Sequence, residues 1–504
     1  MTLEKQKIGN FIRRIRNERG LTQQQLASKL NTSQSAINRI EKGRQNLSME
    51  MLARLSDVLD ASIITFSGGS TNYKIEGGHS LSGEIETKVS KNASVGLLCA
   101  SLLNQGTTVL RKIPKIEEVF RIIEVLESIG VNVKWLKNND LELKPPKKLR
   151  LDKMNLEAGR RTRSVIMLMG PLVHLFNNFK IPYAGGCRLG KRSVAPHLYA
   201  LEEFGVNVKT TGGYYHTSVR KKQPERLVLY ESGDTVTENV LMTAAKMTGT
   251  TEIRMASANY MVQEMCLFLR KLGVKIEGLG TTTLKITGAP VINKRVVYSP
   301  SEDPIESMLF LSIAAITNSR LTIKRCPFEF LELELLKLKH MGYNFKIIKK
   351  YKADNGYTDL VDIKTEPSVL VALTEKIEAR PFPGLNIDNL PFFVPISAIA
   401  KGRTLIHDWV YEDRAIYYTE LNKLGASISL VDPHRVYIDG PSKFRPAEIV
   451  APPALRPAVI ILIAMLGANG VSVLRNVYSI SRGYENLPQR LNSIGAKIEV
   501  MRDI

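Results

Sequence analysis

Cysteine is scarce in this 504-residue chain: Cys99, Cys187, Cys266 and Cys326, with no Cys-x-x-Cys pair. That spacing excludes a disulfide framework and makes a reducing, cytoplasmic setting the expectation. The seven histidines are scattered, so neither a metal site nor a cofactor is expected. No apolar run reaches the ~18–20 residues of a membrane span; the longest, Ala458 to Leu466, stops at Gly467. The opening MTLEKQKIGNFIRRIRNERG lacks the apolar centre of a signal peptide. Acidic residues are short too, 49 against 70 Lys and Arg, for a net charge of +21. Residues 1–65 hold only 11 of those basic and 6 of those acidic residues, so most of the excess lies further on. A basic body suits an anionic small substrate at least as well as nucleic acid. An apolar share of 44% with 24% charged is otherwise an ordinary globular balance.

What the chain has in abundance is repetition. Six times a helix-like stretch ends in Leu-x-x-apolar-Gly and runs into an alternating strand, around Gly130, Gly205, Gly273, Gly342, Gly425 and Gly495. The intervals are 75, 68, 69, 83 and 70 residues. Each copy is accompanied by an apolar helix, a turn and a short strand, as in LLCASLLNQGTTVL and ILIAMLGANGVSVL. The units read as β-α-β-α-β modules in which glycine caps a helix in the left-handed conformation. One module cannot bury its apolar helix alone, so several must pack together. The fold class expected is α/β (α+β), a body of six βαβαβ-type repeats preceded by a small all-α domain.

Residues 7–61 stand outside the repeat and read as four or five short helices. Phe11, Ile12, Ile15, Leu21, Leu26, Ala27, Leu30, Ile37, Ile40, Leu47, Leu52, Leu55 and Leu59 supply a core at helical spacing. Thr22 and Ser33 fall where N-caps belong. The run LTQQQLASKLNTSQSAINRIEKGRQNLS resembles the helix-turn-helix of the phage-repressor and XRE family. That resemblance puts the third helix in the major groove, with Gln34, Ser35, Asn38 and Arg39 as base readers. Gln23 would hold a phosphate, with Lys42 and Arg44 beside it. Repressor-type modules work as dimers on paired half-sites, which a homodimer would satisfy. The expected division is 1–66 for this DNA-binding domain, 67–72 for a polar linker and 73–504 for the body.

Within the repeats, AGGCRLGKR sets Cys187 between paired glycines and the cations Arg188, Lys191 and Arg192. A thiol so placed should be partly thiolate; Cys99, Cys266 and Cys326 lie in apolar runs and read as inert buried thiols. Other cations recur at module edges. Lys91 and Asn92 open the first repeat helix, Arg163 the second and Arg456 the sixth. Arg414 follows the strand-like WVYED, and Arg482 sits in the turn SRGYEN. Helix N-termini are anion sites that such cations strengthen, and a substrate bearing phosphate and carboxylate would suit the ring.

From Tyr73 onward the chain resembles the enolpyruvyl transferases, on SKNAS, TRSVIMLMGPLV, GGCRLGKRSVAPH, TVTENVLMTAA, EDR and SRGYEN. The cysteine loop directs the resemblance to the UDP-N-acetylglucosamine 1-carboxyvinyltransferase branch rather than the shikimate branch. It implies two lobes of three modules, an inside-out α/β barrel, closing on the substrate. Lys91, Arg192 and Arg482 would bind the phosphate of phosphoenolpyruvate, and Arg414 and Arg456 would face its carboxylate. Asn92 and Arg163 would position the sugar nucleotide, UDP-N-acetylglucosamine or another nucleotide acceptor. Arg192 to His197 and Thr235 to Thr237 would line the uridine diphosphate. Asp388 would be the general base for the acceptor hydroxyl. Cys187 would deliver a proton to the methylene carbon. Lys91, Cys187 and Asp388 are therefore the catalytic candidates.

The chain departs from the family pattern at four places. Ala454 stands where the family carries an acid two residues before the arginine matched by Arg456, and Asn259 where it carries a glutamate. Asp388 lies in LNIDNLPF instead of Pro-Thr-Asp-(Met/Leu)-Gln, and RSVAPH replaces Arg-Pro-Val-Asp-Leu-His. Three readings remain open: a transferase acting on UDP-N-acetylglucosamine, the same chemistry on another acceptor, or a transcription regulator with the body as ligand sensor.

Overall fold

The computed structural model describes residues 9–10, 12–17, 19–45, 47, 51, 54–55, 58–59, 71–185 and 193–502. The chain divides into two compact units, an N-terminal one and a body from Thr71 to Met501.

In the N-terminal unit, α1 (Gln23–Lys29) and α2 (Gln34–Glu41) pack on each other. Thr22 caps α1 through a capping box: its Oγ1 accepts from Gln25 N, and Gln25 Oε1 accepts from Thr22 N. Ser33 caps α2, accepting from Ala36 N at 3.2 Å. Ile12, Leu26, Ala27, Leu30, Ile37, Ile40, Leu55 and Leu59 form the core. Phe11 and Leu52, expected there too, lie outside the described residues.

The body is six small sheets, one for each repeat. All six repeat glycines have positive φ, from 74° at Gly205 to 103° at Gly130. A side chain there would be strained, and each glycine turns a helix end into the strand that follows. Those strands run Asn132–Trp135, Val206–Thr211, Lys275–Glu277, Phe345–Lys352, Ile428–Asp432 and Lys497–Arg502.

The apolar helices sit inside. One lobe centres on α3 (Lys91–Ala100), α4 (Asp234–Ala244) and α5 (Tyr260–Leu272). The other centres on α6 (Pro304–Ile316), α7 (Phe393–Ile399) and α8 (Leu455–Gly467). Every residue of α6 is buried, as is α8 from Arg456 to Leu466, as befits helices apolar all round. The sheets lie outside them, with strands such as Arg435–Gly440 alternating exposed and buried residues. No sheet closes into a barrel among the described residues.

The chain crosses between lobes twice. Ser82–Glu86 pairs parallel with Arg320–Pro327 in the fourth repeat, and Val296–Tyr298 pairs parallel with Thr108–Leu110 in the first. Val89 and Glu302 bridge the two crossings. No helix among the described residues is long and apolar enough to cross a membrane.

One local expectation is corrected. WVYED is not a strand: Gly402–His407 ends where its partner does, at the pair His407 with Arg435. Residues 409–413 then turn, and Arg414 leads into the 3-10 helix Ala415–Leu424.

Candidate active site

A cavity of about 670 Å³ lies where the two sets of helices meet. Lys91, Asn92, Arg163, Asp388, Arg414, Arg456 and Arg482 all line it, although they come from four of the repeats. Cys187 and Arg192 lie outside the described residues.

Lys91 and Asn92 open α3, whose N-cap Ser90 accepts from Ala93 N. Lys91 Nζ donates to Glu118 Oε2 at 2.7 Å, and Ser164 Oγ donates to Glu118 Oε1 at 3.2 Å. Burial works against the Glu118 carboxylate, but Lys91 and Arg482 more than offset it, so its pKa lies below the ordinary value. Asn92 Nδ2 donates to Tyr260 OH at 3.0 Å, and Arg163 Nη2 to the Ser193 carbonyl at 3.1 Å. Arg482 follows the short helix Tyr478–Ser481, where its backbone N–H donates to the Tyr478 carbonyl at 3.1 Å, and its side chain makes no hydrogen bond among the described residues.

Arg414 and Arg456 converge on Asp388. Arg414 is 1% exposed; its Nε donates to Asp408 Oδ2 at 2.6 Å and its Nη2 to Asp408 Oδ1 at 2.9 Å and to the Ile387 carbonyl at 2.8 Å. Its Nη1 stands 3.6 Å from Asp388 Oδ1. Arg456, on the first turn of α8, donates to Asp388 Oδ2 at 3.3 Å and to Tyr484 OH. Burial raises the Asp388 pKa, and Arg456, Arg414 and Lys91 together overcome it, leaving a carboxylate ionised below its ordinary range.

The altered segment around Asp388 has its own support. Glu334, 2% exposed, accepts from Asn389 Nδ2 at 2.7 Å and from Asn386 N at 3.2 Å. Asn386 Oδ1 in turn accepts from Asp388 N at 2.9 Å. Ala454 is the N-cap of α8, fully buried and with no side-chain cap.

The opposite wall is the first turn of α4. Ser232 to Thr235 line it with Ser193 and Pro196. His197 is buried behind, with Nε2 3.3 Å from Thr235 Oγ1 and Nδ1 3.2 Å from Asn239 Nδ2. Burial, with Arg163 adding to it, pushes the imidazole down to about 3, so it is neutral. Sequence reasoning missed Glu118, Asp234, Glu238, Glu334 and Asp408. Glu118, Asp234 and Glu334 act through partners more than 20 residues away, whereas Asp408 meets Arg414 only six residues on and Glu238 lies within TVTENVLMTAA.

Cys99, Cys266 and Cys326 are fully buried, which raises each thiol pKa, to about 12 for Cys266 and Cys326. They are buried, as expected, which disfavours the reactive thiolate.

In the N-terminal unit, Gln34, Ser35 and Arg39 are exposed on α2 and Asn38 is half-buried. Gln23 Nε2 donates inward to Glu41 Oε2 at 2.8 Å, joining a buried pair in which Arg16 Nε reaches Glu41 Oε1 at 2.6 Å. Lys42 and Arg44 are exposed beside it.

Residues 75–491 match the family EPSP synthase (3-phosphoshikimate 1-carboxyvinyltransferase), and residues 12–66 the helix-turn-helix family. A UDP-N-acetylglucosamine 1-carboxyvinyltransferase of Treponema denticola is 33% identical over 431 residues, 85% of this chain and 99% of the relative. One of Bradyrhizobium diazoefficiens is 31% identical over 427 residues, 85% and 97% of the two chains. The enolpyruvyl transferase NikO of Streptomyces tendae superposes with a TM-score of 0.74 at 22% identity, over 86% of this chain and 100% of its own. An EPSP synthase of Acinetobacter baumannii superposes at 0.67 and 20% identity, over 86% and 100%. At such identities the structural likeness speaks for the fold alone.

Proposed function

The chain belongs to the EPSP synthase (3-phosphoshikimate 1-carboxyvinyltransferase) family, and from that premise we propose that it transfers the enolpyruvyl group of phosphoenolpyruvate to a hydroxyl of a nucleotide acceptor. UDP-N-acetylglucosamine is the first candidate, being the substrate in the relatives' names. The observation that carries the reading is Asp388, held 3.3 Å from Arg456 and 3.6 Å from Arg414 in a cavity lined also by Lys91 and Arg482. A base and a cation ring in one enclosed space are what this chemistry requires.

In the first step Asp388 takes the acceptor hydroxyl proton as the oxygen bonds to C2 of phosphoenolpyruvate. A proton enters at C3, a role the resemblance gives to Cys187, and a tetrahedral intermediate forms. In the second step the C2–O bond to phosphate breaks, C3 loses a proton, and the enolpyruvyl ether and phosphate leave. Lys91 and Arg482, with Arg192 by the resemblance, would stabilise the charge of the departing phosphate, while Arg414 and Arg456 would face the carboxylate. Lobe closure would keep water from the intermediate. Anion binding also helps the base. Once the substrate compensates Arg414 and Arg456, the pull that depresses the Asp388 pKa weakens and its basicity rises.

The N-terminal unit would bind DNA through the exposed face of α2. A sensor reading of the body rests on this unit and on Ala454, which leaves the first turn of α8 without an acid. A different acceptor is favoured by the carboxylate of Asp234 on the cavity wall.

Phosphate release from phosphoenolpyruvate, measured with and without UDP-N-acetylglucosamine, tests the reading. Acceptor-dependent release supports it. An absence of release with every acceptor tried, alongside ligand-dependent DNA affinity, would replace it by the sensor.

A further inference from the structure

A helix N-terminus facing a cavity is ordinarily an anion site, since its amides and dipole favour negative charge. At α4 that place is already taken. Asp234 is the first residue of the helix, lines the cavity, and follows Gly233, which offers no side-chain cap. Its Oδ1 accepts from Ser257 Oγ at 2.5 Å and its Oδ2 from Asn259 Nδ2 at 3.1 Å. Two donors therefore fix the carboxylate in place, and its charge offsets the helix dipole.

One turn on, Glu238 lines the same cavity. It is 1% exposed, and its Oε1 has no hydrogen-bond partner among the described residues. An unpartnered buried oxygen is destabilising, so it is a place where a ligand donor would be welcome. Gly96 on α3 leaves the room: a Cβ there would stand 2.5 Å from that oxygen. Burial, and Asp388 across the cavity, raise the Asp234 pKa; burial and Asp234 raise that of Glu238.

We propose that Asp234 and Glu238 form an acceptor subsite that receives a neutral or cationic hydrogen-bond donor, a hydroxyl or an amine, and rejects a phosphate. This rests on the enolpyruvyl-transfer reading of the cavity and narrows its substrate class: acceptor choice is set at the first turn of α4. A phosphate brought to this turn would meet a fixed like charge in a space of low dielectric, where such repulsion is strong. A hydroxyl or ammonium group would instead donate to Glu238 Oε1 or to the free lone pairs of Asp234.

Calorimetric titration of the full chain with UDP-N-acetylglucosamine and with uridine, in wild type and D234N, tests this. D234N keeps the shape and removes the charge. The ratio of the two affinities should shift at least tenfold toward UDP-N-acetylglucosamine in D234N, and more modestly in E238Q, with phosphoenolpyruvate affinity within twofold. A ratio unmoved or shifted toward uridine, in a variant that melts like wild type, would overturn the subsite. Failure of D234N to bind UDP-N-acetylglucosamine at millimolar concentration while still taking phosphoenolpyruvate would do the same. Phosphate release is scored separately. Its absence with every acceptor in both proteins sinks the transfer reading even where the affinity ratio moves as expected.

Discussion

Arg456 reaches Asp388 from the first turn of α8, Nη2 to Oδ2 at 3.3 Å, across 68 residues of sequence. The contact joins two repeats and gives one carboxylate two tasks, balancing buried guanidinium charge and accepting a proton. Asp388→Asn separates them. Turnover should fall about 10²–10⁴-fold, the usual worth of a positioned base. Phosphoenolpyruvate should bind more tightly, because Arg456 and Arg414 lose an internal counter-charge. Phosphate-release kinetics and a binding titration read the two effects; a parallel loss of both would assign Asp388 to substrate binding instead.

Arg482 offers the complementary test. Its side chain lines the cavity without a hydrogen bond among the described residues, so its removal should leave the melting temperature close to that of wild type. Arg482→Ala should weaken phosphoenolpyruvate binding by about 1.5–3 kcal/mol, the range for hydrogen bonds to charged groups. A stability loss without an affinity loss would make it a structural residue.

Ala454 begins α8 with extended backbone, φ −131° and ψ 134°, and caps nothing. Ser at this position should stabilise the body by about 0.5–2 kcal/mol through the missing cap and leave turnover unaltered. Asp supplies both a cap and an acid two residues before Arg456. If the absent acid limits proton transfer, Ala454→Asp should raise turnover where Ala454→Ser does not. Equal turnover in the two variants would show that the site works by another proton route.

Two buried carboxyls make stability depend on pH. Glu264 accepts from Tyr298 OH and Asn355 Nδ2, both at 2.7 Å, and burial raises its pKa to about 7. Burial raises Glu334 to about 7 as well, beneath the loop that carries Asp388. A carboxyl whose pKa is higher folded than unfolded holds its proton more tightly in the native state. Its contribution is therefore full below the ordinary 4.5 and is lost as pH rises through about 7. Melting temperatures taken from pH 4.5 to 8 should fall across that window, and Glu264→Gln and Glu334→Gln should each flatten the slope. An unchanged slope in both variants would remove these groups as its source.

Local features were the legible ones. The six glycines announced themselves because a helix end entering a strand needs left-handed backbone, which few residues but glycine accept. The N-terminal core was equally plain, since helical spacing maps directly onto burial. Lys91, Arg163, Arg414, Arg456 and Arg482 were found as recurring cations and by family resemblance, and they line one cavity. Their partners were hidden. Glu118 meets Lys91 from 27 residues away, and Asp234 is held by residues 23 and 25 positions on. Such pairings depend on how repeats pack, not on any local pattern. WVYED misled for a related reason: alternation predicts a strand only where a partner strand continues, and here it ends at Arg435.

DNA binding is the last expectation, and it turns on the separation of reading from scaffolding in α2. Gln34, Ser35 and Arg39 are exposed along that helix, and Arg39 Nε donates to Gln45 Oε1 at 3.2 Å in an exposed contact. Glu41, at the same helix's end, is 4% exposed and accepts from both Arg16 and Gln23. Arg39→Ala should therefore weaken binding to duplexes selected by the full chain by about 1–3 kcal/mol and relax sequence preference, with the unit's stability intact. Binding should fall steeply with salt in both proteins, since phosphate contacts release counterions. Glu41→Ala should act differently. It strands the Arg16 charge in a buried place, a loss of about 3–5 kcal/mol, so that DNA binding disappears through unfolding of the N-terminal unit. Phosphate release by the same variant should persist, because the cavity lies wholly in residues of the body. Salt-insensitive binding, or an Arg39→Ala protein that selects the same duplexes with undiminished affinity, would remove α2 as the reading helix.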